Sequence, residues 1–193
     1  MSAIFLSASV PIVGRGNYHE TADPFLIQCA VRELVMAVIR DRKIVWGGHP
    51  AITPMIWNIC QDLNIDYSNS VVLYQSRLFE DRFPEENNHF GNVVFIDAMP
   101  EDRDASLLLM REAMLSRLDL KAAVFIGGME GVEAEYSLFR HFHPDGKVLP
   151  VPSTGGAARQ LAERIGGFDE AALLDVDFAR LFHTKLTLSM EKD

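Results

Sequence analysis

Four stretches of this sequence gather the residue types that can hold a negatively charged ligand: SASVPIVGRGN from residue 7, WGGHPAITP from residue 46, IGGMEGVEAE from residue 126 and VPSTGGAA from residue 151. Gly47 and Gly48, Gly127, Gly128 and Gly131, and Gly155 and Gly156 let the backbone come close to a guest. A helix beginning just beyond each turn adds the positive end of its dipole and unpaired N–H groups. The chemistry this predicts is capture of a phosphate or sugar-phosphate by main-chain amides, with the hydroxyls of Ser7, Ser9, Ser153 and Thr154 as further donors. Ser153 and Thr154 also suit a plain helix-capping role. Glu130 and Glu133 stand where the macrodipole favours carboxylates whatever the function. His49, inside the second turn, is a further candidate, although a neutral turn histidine explains it as simply.

Several chemistries are disfavoured by what the sequence lacks. Neither the dinucleotide fingerprint GxGxxG nor the phosphate loop GxxxxGK[ST] occurs, so a standard dehydrogenase or P-loop NTPase is not expected. No GxSxG elbow surrounds Ser7 or Ser9. The six histidines show no metal-ligand spacing, and neither a metal site nor a resident cofactor is expected. A net charge of −9 without a Lys/Arg block argues against a nucleic-acid polymer as partner. Cys29 and Cys60, the two cysteines, read as buried free thiols of a reducing compartment. The first residues lack a basic leader, and no apolar run reaches the roughly 18 residues of a membrane span. The expectation is a cytoplasmic protein that meets no membrane.

Short apolar runs alternate with helix-length segments along the chain: AIFLSAS, KIVWGG, SVVLYQS, NVVFIDA, AAVFIGG and KVLPVPS read as strands. The alternation predicts an α/β domain over residues 1–193, with a predominantly parallel sheet of about six strands flanked by helices. Asp23 and Pro24 signal the start of the first long helix. Further helices are expected near 54–63, 103–118, 132–143, 155–165 and 169–183. In such a sheet, ligands collect beyond the carboxyl ends of the strands, where the glycine turns lie. Residues 75–91, QSRLFEDRFPEENNHFG, form a long polar stretch interrupted by Pro84 and read either as a lid over that edge or as a solvated insertion.

The succession FLSASVP, IVWGGHPAITP, LLLMREAMLSRLDLKAAVFIGGMEGVEAEYSLF and VLPVPSTGGAA resembles the SLOG superfamily, the Rossmann-like nucleotide-binding fold named after the Smf/DprA and LOG (Lonely Guy) proteins. The resemblance runs from about residue 3 to residue 165. Arg111 and Met114 match the RKxxM segment of LOG-type phosphoribohydrolases with one residue fewer between them. Gly127, Gly128, Gly131 and Glu135 match their PGGxGTxxE turn with one extra residue, while Ile126 and Val132 replace its proline and threonine. Pro50 and Pro54 stand in place of the later glycines of the GGGxxGxMG loop. The resemblance implies a module that binds or senses a nucleotide or NAD-derived ligand such as an ADP-ribose species, with Arg111 and Glu135 gripping phosphate and ribose. It leaves open an N-glycosidic enzyme of phosphoribohydrolase or deoxyribosyltransferase type, in which the same two residues are catalytic. It also implies a homodimer. A protein-interaction module without a small ligand is the third reading.

Overall fold

The computed structural model of the protein describes residues 1–64 and 70–188. Six strands form one sheet: β1 (Ala3–Ser9), β2 (Lys43–Trp46), β3 (Val71–Ser76), β4 (Val93–Ile96), β5 (Leu120–Gly127) and β6 (Lys147–Val151). Every pairing is parallel, and the order across the sheet is β4-β3-β2-β1-β5-β6. The direction in which strands are added reverses between β1 and β5. Such a reversal opens a crevice at the carboxyl ends of the two strands, because the helices that follow them leave towards opposite faces.

The strands are apolar because both faces are covered. On one face Ile4, Leu6, Ile44, Trp46, Val71, Leu73, Val124 and Ile126 pack beneath α1 (Pro24–Val38) and α2 (Thr53–Asp62). On the other, Phe5, Val45, Val72, Tyr74, Ala123 and Phe125 pack beneath α3 (Arg103–Leu115), α4 (Gly131–Phe142) and α5 (Gly156–Ile165). The strict alternation of neighbouring residues between the two cores is the period-2 geometry of a strand. It sends Leu6 and Ser7 to opposite sides of the sheet.

Helix α1 begins where Asp23 and Pro24 predict. The Asp23 carboxylate accepts from the backbone N–H of Phe25 at 2.9 Å and of Leu26 at 3.1 Å. Ile27, Ala30, Val31, Leu34, Val35 and Val38 form its buried stripe. The single helix expected over 169–183 is instead two short ones, α6 (Glu170–Leu174) and α7 (Phe178–Phe182), followed by a π turn over His183–Leu188. The break has a local cause. The Asp175 side chain accepts from Asp177 N–H and that of Asp177 from Arg180 N–H, offering the backbone an alternative to helix continuation.

Gln75 and Ser76, shared between the SVVLYQS strand and the polar stretch over 75–91, belong to β3. Two 3-10 turns follow, Arg77–Arg82 and Glu85–His89, and Phe90 returns to the core to meet Trp46 edge to face, ring centroids 5.2 Å apart. Cys60 is buried and its thiol is pushed up to about 11 by burial, whereas Cys29 is only partly covered. No helix among the described residues is long and apolar enough to cross a membrane.

Candidate functional site

A cavity of about 360 Å³ opens on the carboxyl edge of the sheet, within the size range of small-molecule sites. Its walls come from the ends of β1, β2 and β3, the turn after β2, the cavity-facing side of α3, the first turns of α4, and the 3-10 segment after β3. Of the residues singled out in the sequence, Ser7, Ser9, Gly47, Gly48, His49, Arg111, Gly131 and Glu135 line it together.

Glu135 stands at the centre of this group. It lies one helical turn after Gly131 on α4, so its carboxylate returns over the sheet edge. Ser7 Oγ donates to Glu135 Oε2 at 2.5 Å, and Arg111 Nε donates to Oε1 at 3.4 Å. Three elements that are remote in sequence, β1, α3 and α4, therefore converge on one carboxyl group. Burial pushes the Glu135 carboxyl above the ordinary glutamate value of 4.5, and the Arg111 charge and the Ser7 hydrogen bond only partly oppose it. The side chains of Arg111 and Glu135 each retain 17% exposure, so the shift is greatest when the cavity is dry or filled by a guest.

Arg111 belongs to a helical stripe. Arg103, Leu107, Met110 and Arg111 fall on one face of α3 and all reach the cavity. Arg15 arrives from the loop after β1 and is tied to Glu130 at the start of α4, while Arg82 comes from the segment after β3. The residue pair Met129 and Glu130, where the turn is longer than in the LOG pattern, thus supplies one apolar wall residue and the anchor for Arg15. Four arginines and a single carboxylate residue, Glu135, contribute to the lining in a chain whose net charge is −9. The outer pairs, Arg15–Glu130, Arg82–Asp81 and Arg103–Asp104, are solvent-exposed, worth about 0–1 kcal/mol each, and cheaply exchanged for a ligand's phosphate.

His49 sits at the second turn. Its Nδ1 accepts from Ala51 N–H at 3.2 Å, which leaves the proton on Nε2. Burial, and secondarily the Arg15 charge, hold its imidazole below the usual value of 6.5 and so uncharged at neutral pH.

The remaining glycine turn is differently employed. Ser153, Thr154, Gly155 and Gly156, together with Gly127 and Gly128, lie outside the lining of the cavity. Ser153 Oγ donates to the Asp175 carbonyl at 2.7 Å. The buried Thr154 hydroxyl donates to the Val151 carbonyl at 2.6 Å and accepts from Gly127 N–H at 2.9 Å. Gly128 N–H donates to the Ser9 carbonyl at 2.9 Å, and its own carbonyl accepts from Ala157 N–H at 3.0 Å. Space next to Gly155 is taken by the Thr21 carbonyl, 1.9 Å from where a Cβ would stand. Amides proposed for a ligand are here engaged by neighbouring chain, which locks β5, β6 and the start of α1 together. Thr154→Val is accordingly expected to cost about 1–3 kcal/mol in denaturant unfolding, because it strands the buried Gly127 N–H, while ligand affinity of the folded protein stays unchanged.

Arg15, Arg82, Arg103 and Gln75 also line the cavity and were not singled out from the sequence. The spacing of Arg103, Leu107 and Arg111 was the one available signal. Among the described residues, no cluster of His, Cys, Asp and Glu is placed to hold a metal ion.

The model of the SLOG cluster3 family matches residues 17–186. The chain belongs to the SLOG cluster3 family. The matched span takes in the turn after β2, Arg111 and Glu135, and starts after the β1 strand that carries Ser7. Membership of the SLOG cluster3 family supports a nucleotide-related function in general. No curated protein and no solved structure matches the chain.

Proposed function

We propose that the cavity binds a nucleotide or NAD-derived phosphoribose of ADP-ribose type. The observation that carries this reading is one cavity at the carboxyl edge of a parallel sheet, lined by four arginines together with Ser7 and Glu135. Arginine forks suit phosphate oxygens, and the start of α4 adds its positive pole from the same side. The Ser7 oxygen, whose proton goes to Glu135, and the Glu135 carboxylate offer acceptors for ribose hydroxyls.

Thermal unfolding with ADP-ribose, cyclic ADP-ribose, NAD and AMP tests the reading. A ligand selective for the native state stabilises it by about 2.7 kcal/mol at one hundred times its Kd. For a chain of 193 residues that corresponds to a rise in Tm of roughly 5–11 °C. No shift with any of these compounds would favour a protein-interaction module instead.

A second reading, hydrolysis of the N-glycosidic bond, is supported by the raised proton affinity of Glu135. Ionised, the carboxylate could take a proton from water as the water oxygen bonds the anomeric carbon and stabilise the developing oxocarbenium charge. The base would depart with the bonding electron pair and acquire a proton from solvent. Release of free base from nucleoside monophosphates or NAD separates the two readings. A homodimer is also proposed, resting on exposed Leu108 and Leu109 of α3, at 46% and 40% exposure, and is tested by sedimentation.

A further inference from the structure

The Gln75 side chain closes the cavity at the end of β3, on the sheet face opposite to Ser7 and Glu135. It is 5% exposed, and no hydrogen bond links its amide to any described residue. A primary amide carries two N–H donors and an acceptor oxygen, and here they face the cavity without a partner from the described residues. The backbone around it is shaped to permit this. Gly48 has φ +63, and a Cβ there would fall 1.8 Å from Gln75 Nε2 and 2.7 Å from Cδ. The second glycine of the WGGHP turn therefore admits the amide group, and any side chain in its place would expel it. Trp46 at the end of β2, and Phe79, Phe83 and Pro84 of the segment that follows β3, supply an apolar part of the lining, with Arg82 among them.

We propose that Gln75 reads the edge of an adenine ring whose faces rest against this apolar part, with the sugar-phosphate running from there to Glu135 and the arginines. The inference rests on the nucleotide reading given above. A glutamine amide meets adenine's adjacent exocyclic donor and ring acceptor with two hydrogen bonds, and a good pair of that kind discriminates by about tenfold or more. The pairing is with the N6/N7 edge, where hypoxanthine presents two acceptors, O6 and N7, and leaves the amide oxygen unpaired.

Titration calorimetry with ADP-ribose, its hypoxanthine counterpart and ribose 5-phosphate tests this on the wild type and on Gln75→Met, which conserves length and apolar fit. The wild type is expected to prefer ADP-ribose over its hypoxanthine counterpart by about tenfold or more, and Gln75→Met is expected to lose that preference. The ligand-free variant should melt near the wild-type temperature, because the amide faces the cavity and no hydrogen bond within the protein is removed. Equal affinity of the wild type for ADP-ribose and ribose 5-phosphate would overturn base reading while leaving phosphoribose binding intact. Retained discrimination in Gln75→Met, or a lowered Tm of its free form, would show that the amide is structural. Failure of the wild type to bind any of the three would remove this inference together with the nucleotide reading.

Discussion

Arg111→Ala is expected to weaken ADP-ribose binding by about tenfold to a hundredfold, the loss of roughly 1.5–3 kcal/mol that accompanies removal of a charged hydrogen-bonding partner. Of the four lining arginines, Arg111 lies deepest, with 17% side-chain exposure against 41% for Arg15 and 57% for Arg103. Its phosphate contact is accordingly made with least competition from water. Calorimetry on the folded variant checks the affinity, and the free protein's melting curve checks the structural contribution. Removing Arg111 also takes away the cation that opposes the burial penalty of Glu135. The variant is therefore expected to lose stability more steeply than wild type as pH rises, with little difference in acid. A variant that binds ADP-ribose as wild type does would show the guanidinium to be a partner for Glu135 alone.

The second large effect belongs to Glu135→Gln and has the opposite sign for stability. Because the folded-state pKa of Glu135 is raised above 4.5, the native protein binds more protons than the unfolded chain between 4.5 and the folded value. Stability contributed by this group is fully present below 4.5 and is lost as pH rises through the folded pKa. An amide keeps an oxygen for Ser7 and Arg111 without carrying the charge. Glu135→Gln should thus melt above wild type at neutral pH, by roughly 2–4 °C for each ~1 kcal/mol recovered, and the gap should close in acid. The same substitution should reduce ligand affinity or turnover, the trade expected where a strained group serves function. A lower Tm for the variant at neutral pH would mean that ionised Glu135 stabilises the fold.

These expectations depend on a convergence that was only partly legible in the sequence. The six strands could be read because β-branched runs such as SVVLYQS and NVVFIDA alternate with helical periodicity, a local property of the chain. That all strand-to-helix turns share one edge followed from the parallel arrangement. Which of those turns meet at one cavity was not legible, because it depends on strand order. With β6 at the margin beyond β5, its turn packs against Thr21 and Asp23, and Thr154 faces Gly127 rather than the cavity.

The composition of the site shows the same division between local and non-local information. Arg111 and Glu135, 24 residues apart, were linked by resemblance, and the crossing of α3 over α4 places them in contact. Arg15 and Arg82 sit in connections whose path no periodicity encodes. Gln75 fell both in the SVVLYQS strand and at the start of the polar stretch, and the sequence alone did not show that it faces a cavity from the end of β3. Gly47, Gly48 and Gly131 share the cavity lining with Arg15, Arg82, Arg103 and Arg111. Several of the glycine amides are already bonded within the chain, including those of Gly127, Gly128, Gly155 and Gly156.

Crystals soaked with ADP-ribose provide the most direct test of the proposed binding site. The account predicts density for the ligand along the carboxyl edge of β1, β2 and β3, with phosphate oxygens within hydrogen-bond distance of Arg111 and ribose hydroxyls on Ser7 and Glu135. A cavity left without ligand at saturating concentration, or a ligand bound elsewhere on the chain, would contradict it.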